Sequence, residues 1–343
     1  MIKYLLTGIA LSFCLISCSK SKTAAPANTS LTNLTVNAVA TTDSSGNVNV
    51  TAKANNASGY IVDFGDDSVQ TINTGSVSLT HKYPASGTYT INVTATSNSG
   101  STATGNASVT IAKKLTLLWS DEFNTDGPPN PANWSYDLGN NNGWGNSELE
   151  NYTSNAENAY VQGGYLNITA IKENSGGYAY SSARIVTDGK FAFKYGTVLM
   201  RAMLPTGGGT WPALWMLGSD YATNPWPACG EMDIMEEIGN NPGVIYGTLH
   251  YPGHSGANGN GATTKTTSPN TSFHVYGLQW SPLQVQISVD GVVYQTVQNS
   301  PTLPFNANFF FIFNVAMGGD FGGTVDPNFT SSTMQVDYVR VYQ

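Results

Sequence analysis

The sequence predicts an all-β protein made of two β-sandwiches. Short apolar runs rich in β-branched and aromatic residues recur along the chain, and glycine, proline and asparagine interrupt them at short intervals. Hardly any window carries the apolar stripe that an amphipathic helix repeats about every 3.6 residues. Because strands do not alternate with helical segments and no internal repeat is visible, antiparallel sheets are favoured over a parallel α/β fold.

The first 30 residues have the pattern of a secretion signal followed by a tether. Residues 1–17 contain one lysine and an apolar run too short to cross a bilayer as a helix. They lead into "LISC", the pattern of a bacterial lipobox, in which Cys18 would become the lipidated first residue and anchor the protein to a membrane. Residues 18–30 lack apolar periodicity and are interpreted as a linker. A plain signal peptide with an incidental cysteine is the alternative.

Residues 31–113 predict a small β-sandwich of immunoglobulin type. Alternating runs such as "NVNVTAKA" and "TYTINVTATS" are separated by turn residues at intervals of roughly ten. "YIVDFGDDS" (60–68) and "HKYPASGTYTINVTA" (81–95) resemble the polycystic-kidney-disease-type (PKD) domain. The aspartates of the first stretch are interpreted as turn residues rather than metal ligands. Such a module is expected to act as a spacer or a weak binder.

Residues 115–343 predict a larger antiparallel sandwich of two sheets, of jelly-roll type. "VDG" at 289–291, followed by "VVYQTV", is a hairpin signal. The candidate strands are "GYLNITAIK", "GTVLMRAML", "GEMDIME", "GVIYGTLHY", "SFHVYGLQWS", "LQVQISVDG", "NFFFIFNVAM" and "MQVDYVRVYQ".

Composition limits the classes of partner. Charged residues make up only 10% of the chain, against about 25% in an average soluble domain, and the net charge is −8. This balance argues against nucleic acid or an anionic membrane surface as a partner and is compatible with a neutral polysaccharide. Beyond Cys18 the chain retains only Cys229, so we expect no disulfide within the folded part.

Four carboxylates are concentrated in "GEMDIMEEIG" (230–239). A helix would place them on no common face, and the flanking glycines and prolines leave room only for a strand. In a regular strand Glu231, Asp233 and Glu237 share one face, whereas Glu236 would point into the apolar core at a heavy desolvation cost.

A β-bulge near Met235 resolves this conflict. The Cα atoms of Glu231 and Glu237 would lie about 20 Å apart in a strand, too far for their carboxylates to act on one bond. One extra residue instead returns Glu236 to the face of Glu231 and Asp233. Because three crowded carboxylates repel, we expect their protons to be shared unevenly. A calcium site without carbonyl-rich loops is a poor alternative, as is a solvated charged edge.

The second unit resembles glycoside hydrolase family 16, specifically its laminarinase-type endo-β-glucanases. The signature E-x-D-x-x-E is present as Glu231, Asp233 and Glu236. The resemblance implies a retaining mechanism without a cofactor, with these residues as nucleophile, auxiliary acid and acid/base. The other matching stretches are "WSDEF", "WGNSELENYT", "GYLNITA", "YSSARI", "KYGTVLMRAMLP", "WPALWMLG", "GTLHY", "FNVAMGGD" and "VDYVRVY".

Aromatic and polar residues are implied as sugar contacts. Trp211 and Trp215 share strand parity, so both could line a sugar cleft, although a core position is an equal alternative. The resemblance favours the cleft for both. It also implies substrate-binding roles for Trp226, Asn146, Arg184 and His250. Nearby Glu148 lies in a similar motif, and its alternative role is to support a sugar-binding residue through a buried hydrogen bond. The family positions for a structural Ca²⁺ correspond to Glu122, Gly164 and Asp337.

The sequence therefore predicts a retaining endo-β-glucanase. Its expected substrate is a neutral β-1,3- or mixed-linkage β-1,3/1,4-glucan such as laminarin, lichenin or cereal β-glucan. The alternatives are a non-catalytic glycan-binding surface lipoprotein and a hydrolase of agar or carrageenan. We expect a monomer, attached to the bacterial outer membrane because Ser19 rather than aspartate follows Cys18, on the cell surface or the periplasmic face.

Overall fold

The structure is a computed structural model that describes residues 30–83 and 86–343. The predicted signal, the lipidation site at Cys18 and almost all of the predicted linker therefore lie outside the described residues. Within the described part, no helix combines the length and apolar character needed to span a membrane.

The N-terminal module consists of two antiparallel sheets around its own core. One sheet has the order β1-β2-β5 and the other β4-β3-β6-β7. Buried and exposed positions alternate along β2 and β6, so each strand sends every second side chain into the core. The strands are β1 (Thr32–Ala40), β2 (Asn47–Asn55), β3 (Gly59–Asp63), β4 (Val69–Ile72), β5 (Ser76–Lys82), β6 (Gly87–Thr96) and β7 (Thr102–Ile111).

The aspartates of this module stabilise turns, as predicted. Asp63 Oδ1 accepts a hydrogen bond from the backbone N–H of Gly65 at 2.9 Å, and Asp66 Oδ1 accepts one from Ser68 at 3.2 Å. Asp66 also contacts His81 Nε2 at 2.8 Å. These carboxylates are thus occupied by local hydrogen bonds and an imidazole.

The C-terminal unit packs a ten-stranded sheet against a seven-stranded sheet. The larger has the order β10-β13-β12-β24-β15-β20-β21-β22, with β11 paired to β12 and β8 to β24, and the smaller has the order β19-β18-β17-β16-β23-β14-β9. The first half of its strands are β8 (Leu117–Asp121), β9 (Ser135–Asp137), β10 (Glu150–Tyr152), β11 (Ala159–Gln162), β12 (Tyr165–Ser175), β13 (Tyr178–Ser182), β14 (Arg184–Val186), β15 (Gly196–Met203) and β16 (Thr210–Gly218).

The remaining elements complete both sheets and include one short α-helix. The predicted hairpin is confirmed: Val289 pairs with Val292, and Asp290 and Gly291 adopt positive φ angles of 49° and 79°. The elements are β17 (Glu231–Glu237), β18 (Val244–His250), β19 (Asn260–Lys265), β20 (His274–Trp280), β21 (Gln284–Val289), β22 (Val292–Gln298), β23 (Phe309–Met317), α1 (Gly319–Gly322) and β24 (Ser331–Tyr342), with 3₁₀ turns at Gly143–Gly145 and Gly256–Asn258.

One core cluster fills the space between the two sheets of this unit. Strand β23 is buried along its whole length because both of its faces are covered. Phe311 and Phe313 point into the core, whereas Phe310 and Ile312 form a separate small cluster on the opposite face. The all-β prediction is confirmed, and among the described strands only β10 and β13 pair in parallel.

Strand β16 is absent from the predicted strands, although it lies in the middle of the seven-stranded sheet. Pro212 argues against a central strand because it cannot donate a ladder hydrogen bond. In the structure, pairing with β17 covers only Ala213 to Leu217, and Pro212 is paired on the β23 side alone. The proline thus occupies the end of the strand where one neighbour is missing.

Candidate active site

The seven-stranded sheet turns one face away from the core, and we call this the open face. The acidic residues of this face come from β17, which has β16 on one side and β18 on the other. Glu231 pairs with Leu217 and His250, Asp233 with Trp215 and Thr248, and Glu236 with Ala213 and Tyr246. The three acids therefore occupy successive rows of the same face.

The predicted bulge is confirmed in β17. Against β16, Met235 pairs with Leu214 and Asp233 with Trp215, which leaves Ile234 without a partner. Against β18, the partners of Asp233 and Glu236 are Thr248 and Tyr246, so two residues of β17 face one residue of β18.

The bulge keeps the apolar side chains of β17 in the core and the carboxylate of Glu236 on the open face, which regular alternation would not do. The adjacent residues Ile234 and Met235 are both fully buried in the core cluster. Glu236 returns to the open face, while Glu237 points to the other side. There, the Glu237 carboxylate accepts hydrogen bonds from the Gly243 N–H at 2.7 Å and from Asn270 Nδ2 at 3.0 Å. As parity predicts, Glu237 is not part of the acidic group.

Trp211 and His250 are two of the side chains that contact the three acids. Trp211 donates from Nε1 to Glu236 Oε1 at 2.9 Å. His250 Nε2 lies 3.2 Å from Asp233 Oδ2 and 3.9 Å from Glu231 Oε1. The imidazole thus lies between the first two acids, and the indole holds the third.

Burial makes ionisation of these acids unfavourable. It raises the pKa of Glu231 to about 8, with a further contribution from Asp233 that His250 opposes. It raises the pKa of Glu236 to about 7, against the hydrogen bond from Trp211. Burial and the charge of Glu236 also raise the pKa of Asp233 well above its usual range. The open face therefore retains protons near neutral pH, which suits a site where one acid donates a proton and another attacks.

Comparison with known proteins identifies the family. The sequence profile for Glycosyl hydrolases family 16 matches residues 146–340, and the profile for the PKD domain matches residues 23–112. The chain belongs to glycosyl hydrolase family 16. Members of this family retain the anomeric configuration, and this membership confirms the predicted class of enzyme. They need no catalytic cofactor. The nearly all-β structure, together with family membership, confirms the predicted jelly-roll fold.

Relatives and solved structures agree with this membership. The chain is 43% identical to a β-glucanase of Rhodothermus marinus over 66% of this chain and 85% of that protein. It resembles the X-ray structure of the laminarinase from the same organism with a TM-score of 0.64 and 42% identity, over 67% and 98% of the two chains. A mutant of SCLam, a non-specific endo-β-1,3(4)-glucanase with an oligosaccharide at its active site, gives a TM-score of 0.65 and 40% identity, over 70% and 98%.

The tryptophans predicted as sugar contacts lie on or beside the open face of this family 16 enzyme. Trp211 and Trp215 pair with Ala316 and Ile312 on the face opposite the main core, and neither packs into that core. Trp215 instead joins the small apolar cluster on the open face. Trp226 is 46% exposed, with its ring centroid 6.0 Å from that of His250. These positions leave the tryptophan rings beside the acids.

Arg184 is held by three neighbours. Its Nε donates to Asp137 Oδ2 at 2.9 Å. The guanidinium carbon lies 4.4 Å from the ring centroid of Trp144 and 4.9 Å from that of Trp215. Both ring contacts fall within cation–π range, so the arginine is fixed against the wall formed by these indoles. Sequence reasoning missed Asp137 and Trp144 as its partners.

A buried polar network supports the same wall. Glu148 accepts hydrogen bonds from Asn146 Nδ2 at 3.1 Å and from the Tyr152 hydroxyl at 2.8 Å. Asn314 Nδ2 donates to that hydroxyl at 3.0 Å, and Asn314 Oδ1 accepts from Trp215 Nε1 at 2.8 Å. Glu148 is thus connected to Trp215 through two side chains.

A second acid lies in this network and was missed by sequence reasoning. Glu150 is fully buried, and its Oε2 accepts the N–H of Met317 at 2.6 Å. Burial, with Glu148 adding to it, raises the pKa of Glu150 well above the usual range. The spacing of two residues between the acids in "ELE" was the available signal, because it places both carboxyls on one strand face.

The residues that match a structural calcium site do not fit the ion, because both of their carboxylates are paired with arginines. Glu122 forms a bidentate ion pair with Arg340, at 2.9 and 2.7 Å. Asp337 is paired with Arg201 at 2.5 Å, and Gly164 lies in the turn between β11 and β12. Two guanidinium groups already neutralise the carboxylates that a calcium ion would need.

Proposed function

We propose that this enzyme is an endo-β-glucanase that hydrolyses internal β-1,3 or mixed β-1,3/1,4 linkages of a neutral glucan. The observation that carries the proposal is the bulged strand β17, which places Glu231, Asp233 and Glu236 on one face. Half-buried tryptophans beside them suit stacking on pyranose rings. The names of the relatives, β-glucanase and laminarinase, support the same substrate class.

Glu231 is proposed as the nucleophile and Glu236 as the acid/base. In the first step a Glu231 oxygen forms a bond to the anomeric carbon while Glu236 transfers its proton to the departing glycosidic oxygen. In the second step Glu236 removes a proton from water, whose oxygen attacks the anomeric carbon and releases Glu231. Trp211 holds Oε1 of Glu236, which leaves Oε2 for proton transfer.

Asp233 and His250 are proposed to set the protonation of the nucleophile. In the glucan-free enzyme the pKa of Glu231, about 8, lies above that of Glu236, about 7. The reaction uses Glu231 ionised and Glu236 protonated. Asp233 raises the pKa of Glu231 and His250 lowers it, so these two neighbours act in opposite directions on the ionisation of the nucleophile.

The test is the substitution Glu231→Gln, which keeps the size of the side chain and removes the nucleophile. We expect hydrolysis of laminarin to fall by at least about 10³-fold while glucan binding persists. Product analysis of the unmodified enzyme on laminarin, lichenin, barley β-glucan and agarose identifies the linkage. Hydrolysis by the variant at the original rate, or cleavage of agarose alone, would contradict the proposal.

We further propose that the enzyme is a monomeric outer-membrane lipoprotein anchored through Cys18. The support is the "LISC" pattern followed by Ser19. Cys18→Ala is expected to move the protein from the membrane fraction to the soluble fraction, whereas Cys14→Ala, in the same apolar run, leaves it membrane-bound. Protease treatment of intact cells distinguishes the surface from the periplasmic face, and light scattering of the soluble form measures the mass.

The calcium expected from the resemblance is tested by chelation. Because Arg340 and Arg201 neutralise Glu122 and Asp337, a calcium ion would have to displace both. We expect EDTA and added Ca²⁺ to leave the melting temperature unchanged within about 1 °C, since ligands stabilise only what they bind. A rise of several degrees with Ca²⁺ would show that the ion replaces the arginines.

A further inference from the structure

Three side chains of the open face converge closely enough to share one ion. Glu231, Asp233 and His250 each direct one oxygen or nitrogen to a common point, and these three atoms lie within 4.8 Å of one another. Glu231 and His250 are direct cross-strand partners on β17 and β18, and Asp233 lies two residues further along the same face. Within residues 30–83 and 86–343 no other group of three histidine, cysteine or acidic side chains meets this condition.

The group contains a polar atom whose hydrogen-bonding capacity is not met. Asp233 is 4% exposed, and its Oδ2 has no hydrogen-bond partner. The same atom lies 3.2 Å from His250 Nε2. A buried carboxylate oxygen that accepts no hydrogen bond is costly. A cation bound by both this oxygen and the imidazole nitrogen would remove that cost.

The distances nearly match those of a small divalent ion. Zinc binds nitrogen and oxygen ligands at about 2.0–2.2 Å, which separates neighbouring ligand atoms by about 3.4 Å in a tetrahedron. The two measured separations, 3.2 and 3.9 Å, bracket that value. Small rotations of Glu231, whose side chain is the most exposed of the three, would close the remaining gap. Three protein ligands leave one position of a tetrahedron for an exchangeable ligand, as in catalytic zinc sites.

We propose that Glu231, Asp233 and His250 form a zinc-binding site that reversibly blocks the active site. One imidazole and two carboxylates suit Zn²⁺, whereas Ca²⁺ and Mg²⁺ prefer oxygen ligands only. The ion neutralises two neighbouring acids that otherwise repel each other. The ion also binds the carboxylate oxygen of Glu231 that must reach the anomeric carbon. Metal and glucan therefore exclude each other.

The site also has a feature that limits its affinity. A metal-bound histidine ordinarily donates its second ring N–H to a partner, and losing that partner costs about 10–100-fold in affinity. His250 Nδ1 is buried and has no hydrogen-bond partner. Gly259 leaves room for the ring on that side, since a Cβ there would approach Cε1 to 2.5 Å. We therefore expect an affinity for Zn²⁺ about 10–100-fold lower than that of a site whose histidine has such a partner, so that chelators reverse the binding.

Direct titration of Zn²⁺ into the tag-free full chain tests the site without reference to activity. Isothermal calorimetry is expected to show one site per chain, and His250→Gln should weaken it by at least about 10-fold. His274→Gln is the matched control, because His274 forms a two-residue pair with Asp290 at 2.7 Å. Cys229→Ala is the second control, because a thiol two residues before Glu231 is the other zinc ligand nearby. Both controls should bind Zn²⁺ as the unmodified chain does.

The outcomes separate this proposal from the proposed function. Binding of Zn²⁺ that survives His250→Gln, or that is lost in Cys229→Ala, overturns the zinc site, as does the absence of any binding. The melting temperature of each variant shows whether it is folded. The inhibitory role rests on the proposed glucanase activity: Zn²⁺ should raise KM for laminarin without changing kcat, and EDTA should restore it. An enzyme inactive on every glucan would refute the function but leave the calorimetric result intact.

Discussion

Asp233 affects the pH dependence of hydrolysis through the pKa of Glu231. With Glu231 and Glu236 at pKa values of about 8 and 7, kcat/KM should be bell-shaped with limbs near those values. Asp233 is the second cause, after burial, of the raised pKa of Glu231. Asp233→Asn removes that charge, so the pKa of Glu231 falls and the optimum moves to lower pH. The position of the optimum between pH 5 and 9 is the measurement, and an unmoved optimum would show that Asp233 does not act on Glu231.

Glu150 offers a second test at the residue scale, through stability rather than activity. Its raised pKa means that the folded enzyme keeps a proton that the unfolded chain releases above about pH 4.5. Stability from this group is therefore complete at low pH and decreases as pH rises. Glu150→Gln avoids that loss and should raise the melting temperature at pH 8 more than at pH 5.

Glu150→Ala is the contrasting variant, because it leaves the Met317 N–H without its acceptor. It should lower the melting temperature at both pH values, by the equivalent of about 1–3 kcal/mol. If Glu150→Gln and the unmodified enzyme lose stability in parallel between pH 5 and 8, Glu150 is not the buried neutral acid that its surroundings indicate.

Residues close in sequence could be predicted, and residues brought together by the sheet order could not. Strand parity and side-chain reach within ten residues were together enough to exclude Glu237 and to require the bulge that returns Glu236 to the face of Glu231. Asp137 and Asn314, which contact Arg184 and Trp215, come from strands far apart in the chain. Their proximity depends on the order β16-β23-β14-β9, and no local pattern encodes that order.

At the scale of the element, the bulge in β17 can be tested by deleting one residue. Without Met235, Glu231, Asp233 and Glu236 fall at alternate positions of a regular strand and remain on one face. We expect the deletion variant to keep measurable hydrolysis. It should lose about 2–5 kcal/mol of stability, because one buried apolar side chain is missing from the core.

Deleting both Ile234 and Met235 provides the control. Glu236 then falls on the opposite parity and points toward the core, so hydrolysis should be lost as completely as in Glu231→Gln. A folded single-deletion variant with no activity, established by circular dichroism and kinetics on laminarin, would show that the bulge does more than correct parity.

Element types were predictable wherever the local pattern was uniform. Strand β23 is a continuous apolar run and was predicted directly. Strand β16 was not among the candidate strands, although Trp211 and Trp215 were given strand parity. Its Pro212 pairs with β23 and has no partner in β17. The two-sheet architecture followed from the number of strands and the absence of helices.

At the scale of the whole molecule, the two units have separate core clusters. Among residues 30–83 and 86–343, Leu283 is the C-terminal residue that packs, partly buried, against the N-terminal cluster. The open-face residues named above all come from the C-terminal unit. Removal of residues 30–113 should therefore leave kcat/KM on soluble laminarin within about two-fold, since distant changes are usually independent. Steady-state kinetics provide the measurement, and a ten-fold loss would mean that the module contributes to the reaction.

The hydrogen bond from Trp211 to Glu236 makes the proposed acid/base visible to spectroscopy. An indole N–H 2.9 Å from a carboxyl oxygen experiences a different local field when that carboxyl gains or loses its proton. The emission of Trp211 should therefore shift with a midpoint at about pH 7, the pKa of Glu236. The difference between the unmodified enzyme and Trp211→Phe isolates this signal from the other tryptophans. The enzyme carries an internal optical indicator, so the proton can be followed at its own position without turnover.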